Sequence, residues 1–257
     1  MQAKAEKLVH PRDYHGETWH TDYGSVLREA VFGVNDGLVS MLGIVAGVTA
    51  SGLGHLHVVM AALVAVIAAT VSMALGSYLS SRSENDFYAS EVERERREIE
   101  EVPEHEMQEI EEIYSGYGFA PDEVEMIKRR FAQNKELWLE FMLRDELGII
   151  QSSQEQPWRN ALIMAAAVLV GSAPPVVPYL LLGSTSTALR VAIVLSGLAA
   201  FSLGALKSRV AKGSWYGSGL TFLMVAAVAA VVGIGVGAII PHLFHAGAGA
   251  AAAALAR

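Results

Sequence analysis

The stretch AVFGVNDGLVSMLGIVAGVTA at 30–50 decides how this chain is read. Its length matches the roughly 20 predominantly apolar residues a helix needs to cross a bilayer. Asp36 lies inside it. An ionisable side chain in a span costs about 2.5–3.5 kcal/mol on insertion scales. Such a residue is a candidate for an ion path or for a buried partnership.

Working outward, the charge is distributed unevenly. Of the 27 Asp and Glu, 21 lie between Glu84 and Glu155, and none follow Glu155. Two apolar blocks, at about 26–80 and 160–241, flank this acidic block. A soluble globule interleaves apolar and charged residues throughout; this pattern reads as membrane, polar insert, membrane. The net charge of −8 argues against nucleic acid as a partner. The absence of cysteine excludes disulfides, thiolate metal sites and thiol catalysis. No Gly-rich phosphate loop, nucleophile elbow or HExxH motif is present, so nothing points to an enzyme. The polar start has no cleavable-leader pattern.

The expected fold class is an all-α integral membrane protein. It has five transmembrane helices, with a helical cytoplasmic metal-binding domain between the second and third. The spans fall at about 28–50, 57–80, 160–182, 187–206 and 217–240. The expected organisation is a polar segment at 1–25, spans one and two in 26–82, the acidic domain at 83–157, spans three to five in 158–241, and a disordered low-complexity tail at 242–257. Arg82, Arg159, Lys207, Arg209 and Lys212 flank the spans on one side, and the opposite connectors carry no Lys or Arg. The positive-inside rule then places the N-terminus and the insert in the cytoplasm and the C-terminus outside. Pro174, Pro175 and Pro178 interrupt the third span, read as a packing kink or as a gate. Gly233, Gly235 and Gly237 suit close helix packing.

Within the insert, one helix continues from the second span to Glu101, a second opens at Pro103, a third at Pro121, and a fourth runs from about 134 to 147, stopped by Gly148. Glu98 and Glu101 are three apart, and Glu109 and Glu112 repeat the spacing on the next helix, so each pair shares a helix face. If the helices fold together at Val102-Pro103, four carboxylates converge and repel unless a cation sits between them. The alternative is a solvated acidic face paired with Arg94, Arg96 and Arg97. Met142 and Glu146 lie four apart on the last helix. Met142 serves either as core or as a thioether that biases a carboxylate site from Ca²⁺ and Mg²⁺ toward borderline ions. Met73, in the second span, is packing or a companion to Asp36. His105 lies between the Glu pairs and is a candidate to join them. His10, His15 and His20 scatter around a helix, and His55 and His57 lie in an outer loop.

Several segments carry a resemblance: REAVFGVNDGLVSMLGIVAGV at 28–48, VSMALGSYLSSRSE at 71–84, the Glu-rich helices and EFMLRDELG at 140–148. Together they resemble the vacuolar iron transporter family over nearly the whole chain. That resemblance implies a homodimer of five-span subunits that exports Fe²⁺ from the cytosol in exchange for protons. Glu98, Glu101, Glu109, Glu112, Met142 and Glu146 would be metal ligands, and Asp36 and Met73 would line the path. Mn²⁺, Zn²⁺ or Co²⁺ are further candidate ions, and the membrane is a bacterial inner membrane or a vacuolar one. Two departures stand out. Leu143 replaces the second Met often found in the family's last insert helix, and Ala65 stands where members often carry a Glu. One carboxylate per subunit is then expected in the path. A Mn²⁺ or broad divalent-metal exporter and a membrane-anchored iron-binding or sensing protein are the alternatives.

Overall fold

The computed structural model describes residues 22–148, 156–210 and 213–255, with side chains over 26–148, 156–209 and 213–241. His10, His15, His20, Glu155 and Lys212 lie outside the described residues. All regular structure among the described residues is helical. The helices are α1 (Asp22–Ala50), α2 (His55–Glu101), α3 (Pro103–Gly116), α4 (Pro121–Ala132), α5 (Lys135–Phe141), α6 (Pro157–Leu181), α7 (Thr185–Val210) and α8 (Trp215–Leu255). A π-helical turn, Met142–Glu146, continues α5. Five helices are long and apolar enough to cross a membrane: α1, α2, α6, α7 and α8. The chain divides into two compact units, one comprising Tyr23–Tyr78 with Trp158–Arg257 and the other including Leu79–Pro157. The 47-residue α2 contributes to both.

In the apolar unit, α1 is the helix around which the others pack. Its Met41 and Val45 join Val58 and Ala62 of α2, Val176 and Tyr179 of α6, and Ala188 and Ala192 of α7 in one cluster. Its Leu38 and Leu42 join Ala200 of α7 with Ala226 and Ala230 of α8 in a second. Small residues at these contacts let helix backbones approach closely, as membrane helix pairs commonly do. α1 and α8 approach closely along a glycine seam. A Cβ on Gly233 would strike the Gly43 carbonyl, and one on Gly237 would strike the Gly47 carbonyl. Gly235 faces open space, so two of the three expected packing glycines serve the seam. α6 stays helical through Pro174, Pro175 and Pro178. Beside them, Tyr179 and Thr49 of α1 share a hydroxyl–hydroxyl hydrogen bond of 2.8 Å. Val64, Ile67, Val71 and Leu75 on α2 are more than half exposed. An apolar patch of that extent suits lipid rather than water.

The acidic unit follows the helix breaks read from the sequence. Pro103 starts α3, where its missing N–H costs nothing. The Glu123 carboxylate accepts a bond from the Ala120 N–H ahead of α4, and Asn134 Oδ1 accepts from the Leu137 N–H to cap α5. Ile99, Ile110, Phe131, Trp138, Leu139, Phe141, Met142 and Leu143 form its core. Gly148, at φ +67°, ends the run in a conformation that side-chain-bearing residues rarely adopt.

Two local expectations change. The last insert helix is not uniformly α: the Leu147 N–H reaches back five residues to the Met142 carbonyl. The 242–257 segment, expected to be disordered, is helical to Leu255 as the end of α8. Its run of alanines explains this, since Ala has the highest helix propensity and loses no side-chain entropy on ordering.

Candidate metal centre in the acidic unit

The carboxylates that converge are set by which helix faces carry the unit's core. Ile99 at the end of α2 and Ile110 in α3 are buried. Residues four positions before each lie on nearly the same face of the helix. Those residues are Glu95 and Glu106, only 1% and 3% exposed. Glu146 comes from the π turn, and ligand oxygens of Glu95, Glu106 and Glu146 lie within 4.8 Å of one another. π turns are frequent at functional sites.

Glu146 is the exposed member of the group, and the burial of Glu95 and Glu106 is only partly offset by the hydrogen bond between them. Glu95 Oε1 and Glu106 Oε2 have no hydrogen-bond partner among the described residues. Burial, then the hydrogen bond and charge of Glu106, push Glu95 from an ordinary 4.5 up to about 8. Burial, then the charges of Glu109, Glu106 and Glu98, push Glu146 up to about 7. Glu106 is also raised, first by burial, while its hydrogen bond with Glu95 opposes the shift. Two buried carboxyls this close are accommodated when one holds a proton for the other, or when a cation replaces that proton.

The expected ligand residues divide accordingly. Glu98 and Glu109 flank the cluster closely enough for their charges to act on Glu106 and Glu146. Arg94 lies 3.7 Å from Glu98 and is the cation that partly offsets the field at Glu146. Met142 is fully buried in the core of the same unit. Glu101 and Glu112 stand outside the cluster. Both are exposed, and Glu112 accepts a hydrogen bond from Gln108 at 3.0 Å. Neighbouring Glu111 pairs with Lys128 at 2.6 Å. The expected three-residue spacing is present, but the converging pairs are Glu95/Glu98 and Glu106/Glu109, three residues earlier in the chain. The buried pair Glu95 and Glu106 was missed.

In the apolar unit, Asp36 on α1 and Met73 on α2 are both half-buried. The Ser40 hydroxyl donates to Asp36 Oδ1 at 3.2 Å. A second carboxylate in the same apolar helix, Glu29, is 9% exposed and accepts a 3.0 Å bond from Ser77 of α2. Glu29 and Asp36 are seven residues apart, which is two helical turns and hence nearly one face. Asp36 is therefore not alone in its span, which the single-carboxylate expectation overlooked. Ala65 packs against the cluster of Met41, Val58 and Tyr179 and brings no charge there.

Five membrane-length helices and a separate acidic helical unit define a multi-pass membrane protein. The VIT family model matches residues 27–238, and the chain belongs to that family. It is 34% identical over 206 residues to vacuolar iron transporter 1 of Arabidopsis thaliana, covering 80% of each chain. It is 31% identical to vacuolar iron transporter 1 of Oryza sativa subsp. japonica, covering 90% of this chain and 92% of that one. With vacuolar iron transporter 1 of Eucalyptus grandis the identity is 30% over the same shares.

Proposed function

We propose that this chain is a transporter that exports Fe²⁺ from the cytosol in exchange for protons. The relatives' names support iron as cargo and transport as the activity. The acidic unit, on the cytoplasmic side, captures the ion through Glu95, Glu98, Glu106, Glu109 and Glu146. Met142, a soft neighbour, biases the site toward borderline ions. The ion passes to Asp36 and Met73, which line a path shared between two subunits of a homodimer. The membrane is a bacterial inner membrane or a vacuolar one, with the N-terminus cytoplasmic and the C-terminus outside.

One observation carries this reading: Glu95 and Glu106, buried side by side, each keep one carboxylate oxygen that has no partner among the described residues. Such groups cost least when neutralised, by proton or by metal. The same alternation at Asp36 makes loaded states less costly than the empty charged state, which favours exchange over leak. Leu143, buried where a second thioether would add softness, supports Mn²⁺ as an alternative cargo.

The test is Fe²⁺ flux into proteoliposomes, with and without an imposed pH gradient, for the native chain and Asp36→Asn. Flux that follows the proton gradient and disappears in Asp36→Asn is the expected result. Unchanged transport by that variant would remove Asp36 from the path. Metal binding without flux in the native chain would favour the anchored binding or sensing protein.

A further inference from the structure

Among the described residues, one imidazole stands beside the buried carboxylates. His105 lies near the start of α3, its side chain 68% exposed. Its Nδ1 is 3.3 Å from Glu109 Oε1 and 4.0 Å from Glu106 Oε1. Ligand atoms of His105, Glu106 and Glu109 all lie within 4.8 Å of one another. A His and Glu four apart on a helix often make only a surface hydrogen bond. Here the third member is different in kind. Glu106 is 3% exposed, its Oε2 has no partner among the described residues, and it also belongs to the group with Glu95 and Glu146.

We propose that His105, Glu109 and Glu106 form a nitrogen-containing metal position beside the all-carboxylate one, with Glu106 common to both. This rests on the reading that the carboxylate cluster holds metal, and it adds a selectivity. An all-oxygen site takes hard ions readily, whereas an imidazole favours Co²⁺, Ni²⁺ and Zn²⁺ over Mn²⁺ and Mg²⁺. The exposure of His105 leaves room for water to complete the coordination shell. The position is therefore open, suited to an ion that arrives and leaves rather than one that holds the fold together. Glu106 gives the two positions a shared anion, so an ion seated at His105 stands next to the buried group. The sequence marks the arrangement too, since His105 follows the Pro103 break that turns α2 into α3.

The test uses the full-length protein in detergent, titrated calorimetrically with Co²⁺ and with Mn²⁺, and with the Co²⁺ absorption spectrum recorded. His105→Ala should weaken Co²⁺ binding by at least roughly tenfold, the range expected when a ligand environment is damaged. It should alter the Co²⁺ spectrum and change Mn²⁺ binding by less than about threefold, because Mn²⁺ gains least from nitrogen ligands. Equal weakening of both ions, or none, would overturn the proposal and leave His105 as a surface partner of Glu109. If the native protein binds both ions and His105→Ala behaves as native, only the imidazole position falls. If the native protein binds neither, the carboxylate reading falls with it. The exposed side chain makes misfolding a small concern, and an unchanged melting temperature without metal checks it.

Discussion

The two units handle buried carboxylates in opposite ways. In the apolar unit each described carboxylate has a hydroxyl donor: Ser77 for Glu29 and Ser40 for Asp36. In the acidic unit Glu95 and Glu106 are more deeply buried and lie beside other carboxylates, yet one oxygen of each has no partner among the described residues. A hydroxyl holds an anion in place and tolerates its charge. A second carboxylate does neither unless a proton or cation intervenes. The first arrangement fixes a group within a span, while the second stores a demand for positive charge.

The largest expected effect comes from removing that demand. The double substitution Glu95→Gln with Glu106→Gln supplies amide donors and cancels the paired charge. Metal binding by the full-length protein should fall by more than about a hundredfold, since two ligands are lost at once. Melting of the metal-free protein near pH 8 should move upward, because neither of these two buried positions then carries a charge. Stabilisation by metal equal to that of the native chain would show that the cluster is not the binding site.

The second effect is in pH. Glu95 and Glu146 are raised in the folded state, to about 8 and about 7 from an ordinary 4.5. A folded-state pKa above the unfolded one means the native state holds protons more tightly. The contribution is therefore full below about 4.5 and is lost as pH rises through 7 to 8. Stability of the metal-free protein should fall across that interval, whereas metal affinity should rise, with protons released on binding. Denaturant melts at several pH values, with and without Mn²⁺, check both directions. Metal affinity that is flat with pH would contradict the raised acids.

On the apolar side the effect is smaller. Ser77→Ala leaves the buried Glu29 oxygen without its hydroxyl, a loss of about 1–3 kcal/mol. Thermal stability in detergent should drop, and Ser77→Thr should restore most of it. An undiminished melting temperature in Ser77→Ala would mean that water or Arg28, 3.8 Å from Glu29, already satisfies the carboxylate.

The contrast between units also explains what the sequence made legible. Spans, helix breaks and the split between apolar and acidic blocks were readable because composition and Pro, Gly and Asn punctuation fix them locally. The register of the carboxylate cluster was not. The spacing three, eight, three occurs twice in this Glu-rich stretch: once as 95, 98, 106, 109 and again as 98, 101, 109, 112. Spacing alone cannot choose between them. The choice is made by Ile99 and Ile110, which sit on the same faces as Glu95 and Glu106 and carry those faces into the core. Reading the apolar positions before the acidic ones would have found the buried pair. The π turn, by contrast, places Met142 and Leu143 in the core, and no local signal in MLRDE announces it. Glu29 was hidden by its place at the polar end of α1, next to Arg28.

The register can be sharpened by the smallest of the expected effects. Glu101 and Glu112 lie two residues beyond Ile99 and Ile110, about 200° around the helix from the buried face. Each is exposed, and Glu112 already holds Gln108. Glu101→Gln and Glu112→Gln should each change metal affinity by less than about twofold, through long-range charge alone, and raised salt should erase the difference. Glu98→Gln and Glu109→Gln, whose charges reach the cluster, should weaken binding severalfold and keep that effect in salt, because partly buried charges are poorly screened. The ranking of the four substitutions in one titration series separates the two registers. If Glu101 and Glu112 proved as costly as Glu98 and Glu109, the exposed acids would be taking part in capture, and the line between a structural face and a binding face on α3 would have to move.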